Sequence, residues 1–230
     1  MGINRRLLNL YEHHWPELVY YGKMLTDPMP ANPLLLRIDE HTYSHSDIKV
    51  VICGQETWGW TTFGENIVTT ADAYWHFFVC EKFYKGHRRS SFWKAFSYFK
   101  RRLAEEYPNS RISIVWQNLS KIGRNDGVTG VTTAIRTLER EHFPVFLEEM
   151  RILSPNIVLF LTGPSRDHDI LFHFPDANFN GVCVEPNHRR LCRVIAGDLP
   201  SLTFRSYHPS YYCGFNNQLK EAIVGLLTIR

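Results

Sequence analysis

Lys49-Val50-Val51-Ile52-Cys53-Gly54-Gln55-Glu56-Thr57-Trp58-Gly59-Trp60 is the stretch from which the rest of the chain is read. Val50 to Cys53 is an unbroken apolar run closed by a glycine. That fits a strand buried on both faces which stops where backbone must approach something closely. Gln55 and Glu56 then set an amide and a carboxylate at its carboxyl end, the edge at which open parallel sheets bind ligands. Trp58 and Trp60 add flat apolar walls. Without any function, the same segment is a strand end with a solvated Glu and two core tryptophans.

Working outward, Ile112, Ile114 and Trp116 alternate with polar or smaller residues in a second strand that ends at Asn118-Leu119-Ser120. Asn156 to Gly163 is the strongest buried-strand signal, and Leu202 to Ser206 is a last strand running into Tyr207-His208-Pro209-Ser210-Tyr211-Tyr212. Val182 to Glu185 and Leu191 to Ile195 flank Asn187-His188-Arg189 and read as a surface hairpin. Between the strands lie helical stretches. Residues 3–26 offer apolar faces, with Pro16 as an interruption or a new first turn. Asp72 to Tyr84 is apolar and aromatic; Ser90 or Ser91 can cap a helix carrying Phe92, Phe96, Phe99 and Leu103. Thr132 to Leu153 is broken or restarted at Pro144, and Asn216 to Ile229 closes the chain. Pro28, Pro30 and Pro33 forbid regular structure, and loops are expected over 41–47, 61–70 and 123–131. The order of elements predicts an α/β fold, a three-layer sandwich with a central, mostly parallel β-sheet flanked by helices.

With 230 residues and 44% hydrophobic content, the chain has enough apolar surface for one substantial core. A single domain is expected, with a helical and proline-rich extension over 1–45 and a core over 46–230. The net charge of +3 permits nucleic-acid contact without demanding it. Five widely spaced cysteines suggest neither a disulfide framework nor a C-x-x-C zinc site. No apolar run has the length of a signal peptide or approaches the roughly 20 residues of a membrane span. The expectation is therefore a cytoplasmic monomer with no membrane partner.

Three strand ends, Gly54-Gln55-Glu56, Asn118 and His208, together resemble the uracil-DNA glycosylase superfamily. Gly-Gln-Glu-Thr-Trp is similar to the family's Gly-Gln-Asp-Pro-Tyr motif, in which the acid positions or activates water. Trp116-Gln117-Asn118-Leu119-Ser120-Lys121 resembles the strand end whose Asn reads uracil, and Tyr207-His208-Pro209-Ser210-Tyr211 resembles the His-Pro-Ser signature. The resemblance covers roughly residues 46–229 and rests on order, spacing and strand-end placement more than on any one motif. It implies base flipping and hydrolysis of the N-glycosidic bond of uracil or a related damaged base, with damaged or uracil-containing DNA as partner. The alternative is a catalytically silent or repurposed member that binds a nucleobase, nucleotide or nucleic acid.

The chemistry accounts for these residue types. Glycosidic cleavage builds positive charge on the sugar and negative charge on the departing base, so it calls for a carboxylate near the one and a donor near the other. Glu56 and His208 take these catalytic roles in the resemblance, while Gln55, Trp58, Phe63 and Asn118 would bind the base. Ser210 would meet a phosphate, Tyr211 and Tyr212 would press into the duplex, and Arg88 and Arg89 would extend the backbone contacts. Each has a plain structural counterpart: a cap for Glu56, a loop-bonding amide for Asn118, a turn histidine for His208, core tyrosines, a solvated basic face.

The departures from the pattern are informative. Glu56 stands for the Asp of the most active branch, adding a methylene where geometry must hold to about half an ångström. Thr57 replaces the proline, and Trp58 the tyrosine that would crowd a thymine methyl. The stacking aromatic is Phe63 or Trp60. The family's iron-sulfur branch requires a cysteine soon after the Asn-bearing strand, and Ser120-Lys121-Ile122-Gly123 has none, so no cluster is expected; no other metal or cofactor is expected either.

Overall fold

The computed structural model describes residues 1–64, 66–82 and 86–228. Tyr84 and Ile229, where two of the expected helices end, lie outside the described residues. In chain order the elements are α1 (Ile3–Gly22), α2 (Glu40–Ser44), β1 (Ile48–Gly54), α3 (Ile67–Tyr74) continued by a π-helical turn (Trp75–Cys80), α4 (Ser91–Glu106) and β2 (Ile112–Asn118). There follow α5 (Thr133–His142), α6 (Phe146–Leu153), β3 (Ile157–Phe160), α7 (Asp167–His173), β4 (Asn178–Gly181), β5 (Leu191–Ile195), β6 (Leu202–Ser206) and α8 (Asn217–Leu227). The fold is α/β with one mostly parallel six-stranded sheet, in the order β2-β1-β3-β6-β5-β4.

The residues group into two compact units, each assembled from three stretches of chain. The first comprises Met1–Glu40, Gln55–Lys82 and Asn118–Leu153; the second comprises His41–Gly54, Phe83–Gln117 and Ser154–Arg230.

The second unit holds the sheet. β3 pairs in parallel with β1 and with β6, while β5 is antiparallel to both β6 and β4. Val50, Val51, Ile52 and Cys53 are wholly buried, as are Ile157 to Leu161, which is why both runs lack alternation. Because β1, β3 and β6 run the same way, their carboxyl ends Gly54, Phe160 and Ser206 share one edge. α4 and α8 lie side by side against the sheet, Trp93 of α4 meeting Trp116 of β2 edge-on. Glu221 of α8 takes hydrogen bonds from Tyr98 and Arg102 of α4. Ser90 caps α4 as expected, its hydroxyl accepting from the Trp93 amide at 3.3 Å.

The first unit is helical. α1 packs on α3, α5 and α6 through Leu7, Tyr11 and Leu18. Its first amides, Ile3 and Asn4, donate to the Glu40 carboxylate at 2.8 and 2.9 Å, so a distant side chain replaces the local cap that Gly2 cannot provide. The proline-rich link is irregular yet buried, with Leu34, Leu35 and Leu36 at the core. A charged network is sealed beneath it. Lys121 Nζ lies 2.8 Å from Glu149 Oε1, Tyr11 donates to the same oxygen at 2.5 Å, and the Leu36 amide donates to the Tyr11 hydroxyl at 3.0 Å.

Several expectations are corrected. α1 runs unbroken through Pro16 and stops at Gly22, because its buried face carries it past the proline. The stretch 41–47 contains most of the short α2, and 61–70 contains the start of α3, whose amides are capped by Asn66 rather than beginning at Asp72. The hairpin is paired differently: β5 is paired on both sides with Leu191 and Cys192 buried, and its hairpin partner is the largely exposed edge strand Asn178–Gly181, not Val182 to Glu185. α7 has no counterpart in the sequence reading. Pro144 separates α5 from α6 as expected.

Candidate functional site

In the first unit the stretch after β1 and the stretch after β2 are joined directly: the Ser120 amide donates to the Gln55 carbonyl at 2.8 Å. This brings Gln55-Glu56 and Asn118 into one local structure. Asn118 is 2% exposed, so its side chain is buried at the end of β2. Gly123 completes the approach, since a Cβ there would sit 2.1 Å from the Thr57 carbonyl oxygen. The Glu56 Oε1 atom accepts from the Gly130 amide at 2.9 Å, and the Trp58 indole donates to the Gly127 carbonyl at 2.5 Å. Both side chains thereby fasten the glycine-rich loop to the strand-end motif. Trp58 is 66% exposed, so its ring covers no core. Of the two stacking candidates, Phe63 lies with its ring tip where a Cβ on Gly22 would stand, and Trp60 meets Phe77 edge-on.

In the second unit His208 leaves the end of β6. Gly163 takes φ 76°, a left-handed conformation, and its amide donates to the Ser206 carbonyl at 2.9 Å, which ties the exit of β3 to the turn bearing His208. His208 Nδ1 accepts from the Ser210 amide at 3.3 Å and lies 2.7 Å from the Ser210 hydroxyl. A nitrogen that accepts from a backbone N–H carries no proton, so the proton of the neutral ring is on Nε2. The imidazole lies nearly parallel to Phe92, at 12° and 6.4 Å. Burial first, and the Arg166 guanidinium second, lower its pKa from 6.5 to about 4. His208 is thus a neutral N–H donor at physiological pH.

This shift fixes a sign for stability. Between pH 6.5 and about 4 the unfolded chain takes up a proton that the folded ring refuses. Its contribution is complete above pH 6.5 and lost as the pH falls toward 4, on the order of 2–3 kcal/mol in all. Urea unfolding midpoints of the unmodified protein should fall across that window more steeply than those of a His208→Phe variant. Parallel pH dependences in the two proteins would show that His208 is not the titrating group.

Ser210 is exposed, Tyr211 is 51% exposed with its ring against Tyr207, and Tyr212 is 86% exposed. The tyrosines therefore do not pack beneath the last helix. Arg88 and Arg89 are exposed on the turn before α4. Sequence reasoning missed Phe92, the ring that stacks on His208, and Arg205, which is 1% exposed and faces Asp167. Phe92 reads as one more apolar residue of an amphipathic helix, and Arg205 lies in a strand too short to betray which face is buried. A cavity of about 320 Å³ in the first unit is lined by Leu8, Tyr11, Leu36 and Arg37 among others, and by none of the residues given roles above.

No family model and no curated protein matches the chain. Among the described residues, no group of three His, Cys, Asp or Glu side chains is placed to hold a metal ion. No described helix is long and apolar enough to cross a membrane.

Proposed function

We propose that the chain is a DNA glycosylase of the uracil type, acting in base-excision repair by flipping uracil or a related damaged base and hydrolysing its glycosidic bond. The observation that carries this reading is His208: an imidazole held neutral, its Nδ1 occupied by Ser210, its Nε2–H left as the donor. Such a donor suits the oxygen of a departing base, where negative charge grows only in the transition state. Asn118, buried at the end of β2, would bond the uracil edge in a pattern that cytosine mismatches. Glu56 would stabilise the sugar cation or orient water.

The bond from Gly130 to Glu56 favours a second reading. A carboxylate engaged in holding a loop organises a binding surface without activating water, and the chain would then bind a nucleobase, nucleotide or nucleic acid without cutting it. Incubation of the purified protein with uracil-containing and matched thymine-containing oligonucleotides, single- and double-stranded, separates the two. Glycosylase action yields alkali-labile abasic sites in the uracil substrates alone, and Asn118→Ala lowers the rate at least roughly tenfold, the cost of one lost buried amide bond. Binding of either substrate with no abasic sites would establish the second reading and overturn the first.

A further inference from the structure

The turn at Asn187 to Arg190, which has no role in the proposed chemistry, is locked beside the turn that carries His208. Arg205, buried in β6, sends its guanidinium out of the strand to the Arg189 carbonyl at 2.6 Å and the His188 carbonyl at 3.3 Å. Arg190 donates to the Gly214 carbonyl at 2.9 Å and to Asn216 at 2.8 Å, and its own carbonyl accepts from the Tyr207 amide at 3.1 Å. Two arginines spent on backbone carbonyls fix the two turns as one rigid element.

The same arrangement disposes of the nearby acids. Glu185 is taken up by Arg190 at 2.7 Å and by the Asn187 amide at 3.1 Å, and Asp167 faces Arg205 at 2.9 Å. Burial also raises the Asp167 pKa against the pull of the neighbouring arginines. What the element shows to solvent is the Arg189 guanidinium and the His188 ring on one turn, and the Ser210 hydroxyl with the Tyr211 and Tyr212 rings on the other. A cation beside two exposed aromatic rings matches the alternating phosphates and bases of a nucleic-acid strand.

We infer that Arg189 is a DNA-phosphate contact, and that the 187–190 turn and the Ser210–Tyr212 turn form one continuous track for a DNA strand; this rests on the reading of the chain as a DNA-acting protein. The turn sits at a fixed offset from His208, so it holds the strand in register with the residue that acts on the base.

Fluorescence anisotropy with labelled single-stranded and duplex oligonucleotides tests it, using the unmodified protein, Arg189→Ala, and Arg6→Ala as a control that removes the same charge from exposed α1. Arg189→Ala should weaken duplex binding roughly tenfold, the size of one charge-assisted bond. It should also flatten the slope of log affinity against log salt by about 0.9, one phosphate's worth. Arg6→Ala should do neither. Equal losses in the two variants, or an unchanged Arg189→Ala, would overturn the proposal. Excision measured in parallel keeps the two ideas apart. Abasic sites with normal Arg189→Ala binding would leave the glycosylase and remove the track; specific loss of binding without abasic sites would do the reverse.

Discussion

A Glu149→Ala variant is expected to unfold about 3–5 kcal/mol more easily than the unmodified protein, the usual cost of removing one partner of a buried ion pair. Lys121 and Glu149 are both 0% exposed, and the ammonium faces the carboxylate at 2.8 Å. Burial and the Glu149 charge together raise the Tyr11 phenol well above its ordinary value, so its proton stays on and donates to the carboxylate. Alanine removes the oxygen that serves both donors. It leaves Lys121 without the carboxylate it faces and Tyr11 without the oxygen to which it donates, in a region where Leu36, Phe143 and Phe146 are buried. The test is chemical unfolding of Glu149→Ala beside the double variant Lys121→Met, Glu149→Leu. Replacing both charges by apolar groups of similar size is often near neutral, so the double variant should recover much of the loss. A single-variant loss below about 1 kcal/mol, typical of exposed pairs, would show that the network carries no such weight.

That network marks the limit of what the sequence discloses. Lys121 follows the Asn118 motif and reads as one more polar residue at a strand exit; nothing in its neighbours says that it is buried, because its partner lies far along the chain in α6. The strands β1, β2, β3 and β6 are legible since burial on both faces leaves continuous or alternating apolar runs, and Pro144 marks its own helix break by chemistry. β4 is not legible. Asn178, Asn180 and Gly181 have no strand character, and their pairing is imposed by β5. The proline-rich link misleads for a related reason: prolines forbid regular structure without forbidding burial, and Leu34 to Leu36 are core.

The site divides in the same way. His208 and Ser210 are two residues apart, so their hydrogen bonds can be anticipated from the His-Pro-Ser spacing. Phe92 on His208, Gly130 on Glu56 and Arg205 on the 188–189 carbonyls are long-range contacts, and only the folded chain discloses them. Trp58, set by the resemblance against a thymine methyl, is largely exposed and bonded to the glycine-rich loop.

On the glycosylase reading, His208→Phe should lower the rate of uracil excision about 10²- to 10³-fold, the size of one lost donor to a developing oxyanion, with little change in KM. Phenylalanine keeps a flat ring parallel to Phe92, so what is removed is the Nε2–H and the bond to Ser210. The unmodified protein adds a second readout. With its pKa lowered to about 4, His208 is already the neutral donor at pH 7 and remains so well below the ordinary histidine value of 6.5. Excision by the unmodified protein should therefore pass through 6.5 without a break from this residue and decline only toward 4. Ser210→Ala removes the hydroxyl beside Nδ1 and leaves the Ser210 backbone amide, so a smaller loss is expected. A rate that broke at 6.5 and vanished there in step with protonation of His208 would contradict the neutral-donor role. So would a His208→Phe variant as active as the unmodified protein, which would return His208 to the status of a turn histidine before proline.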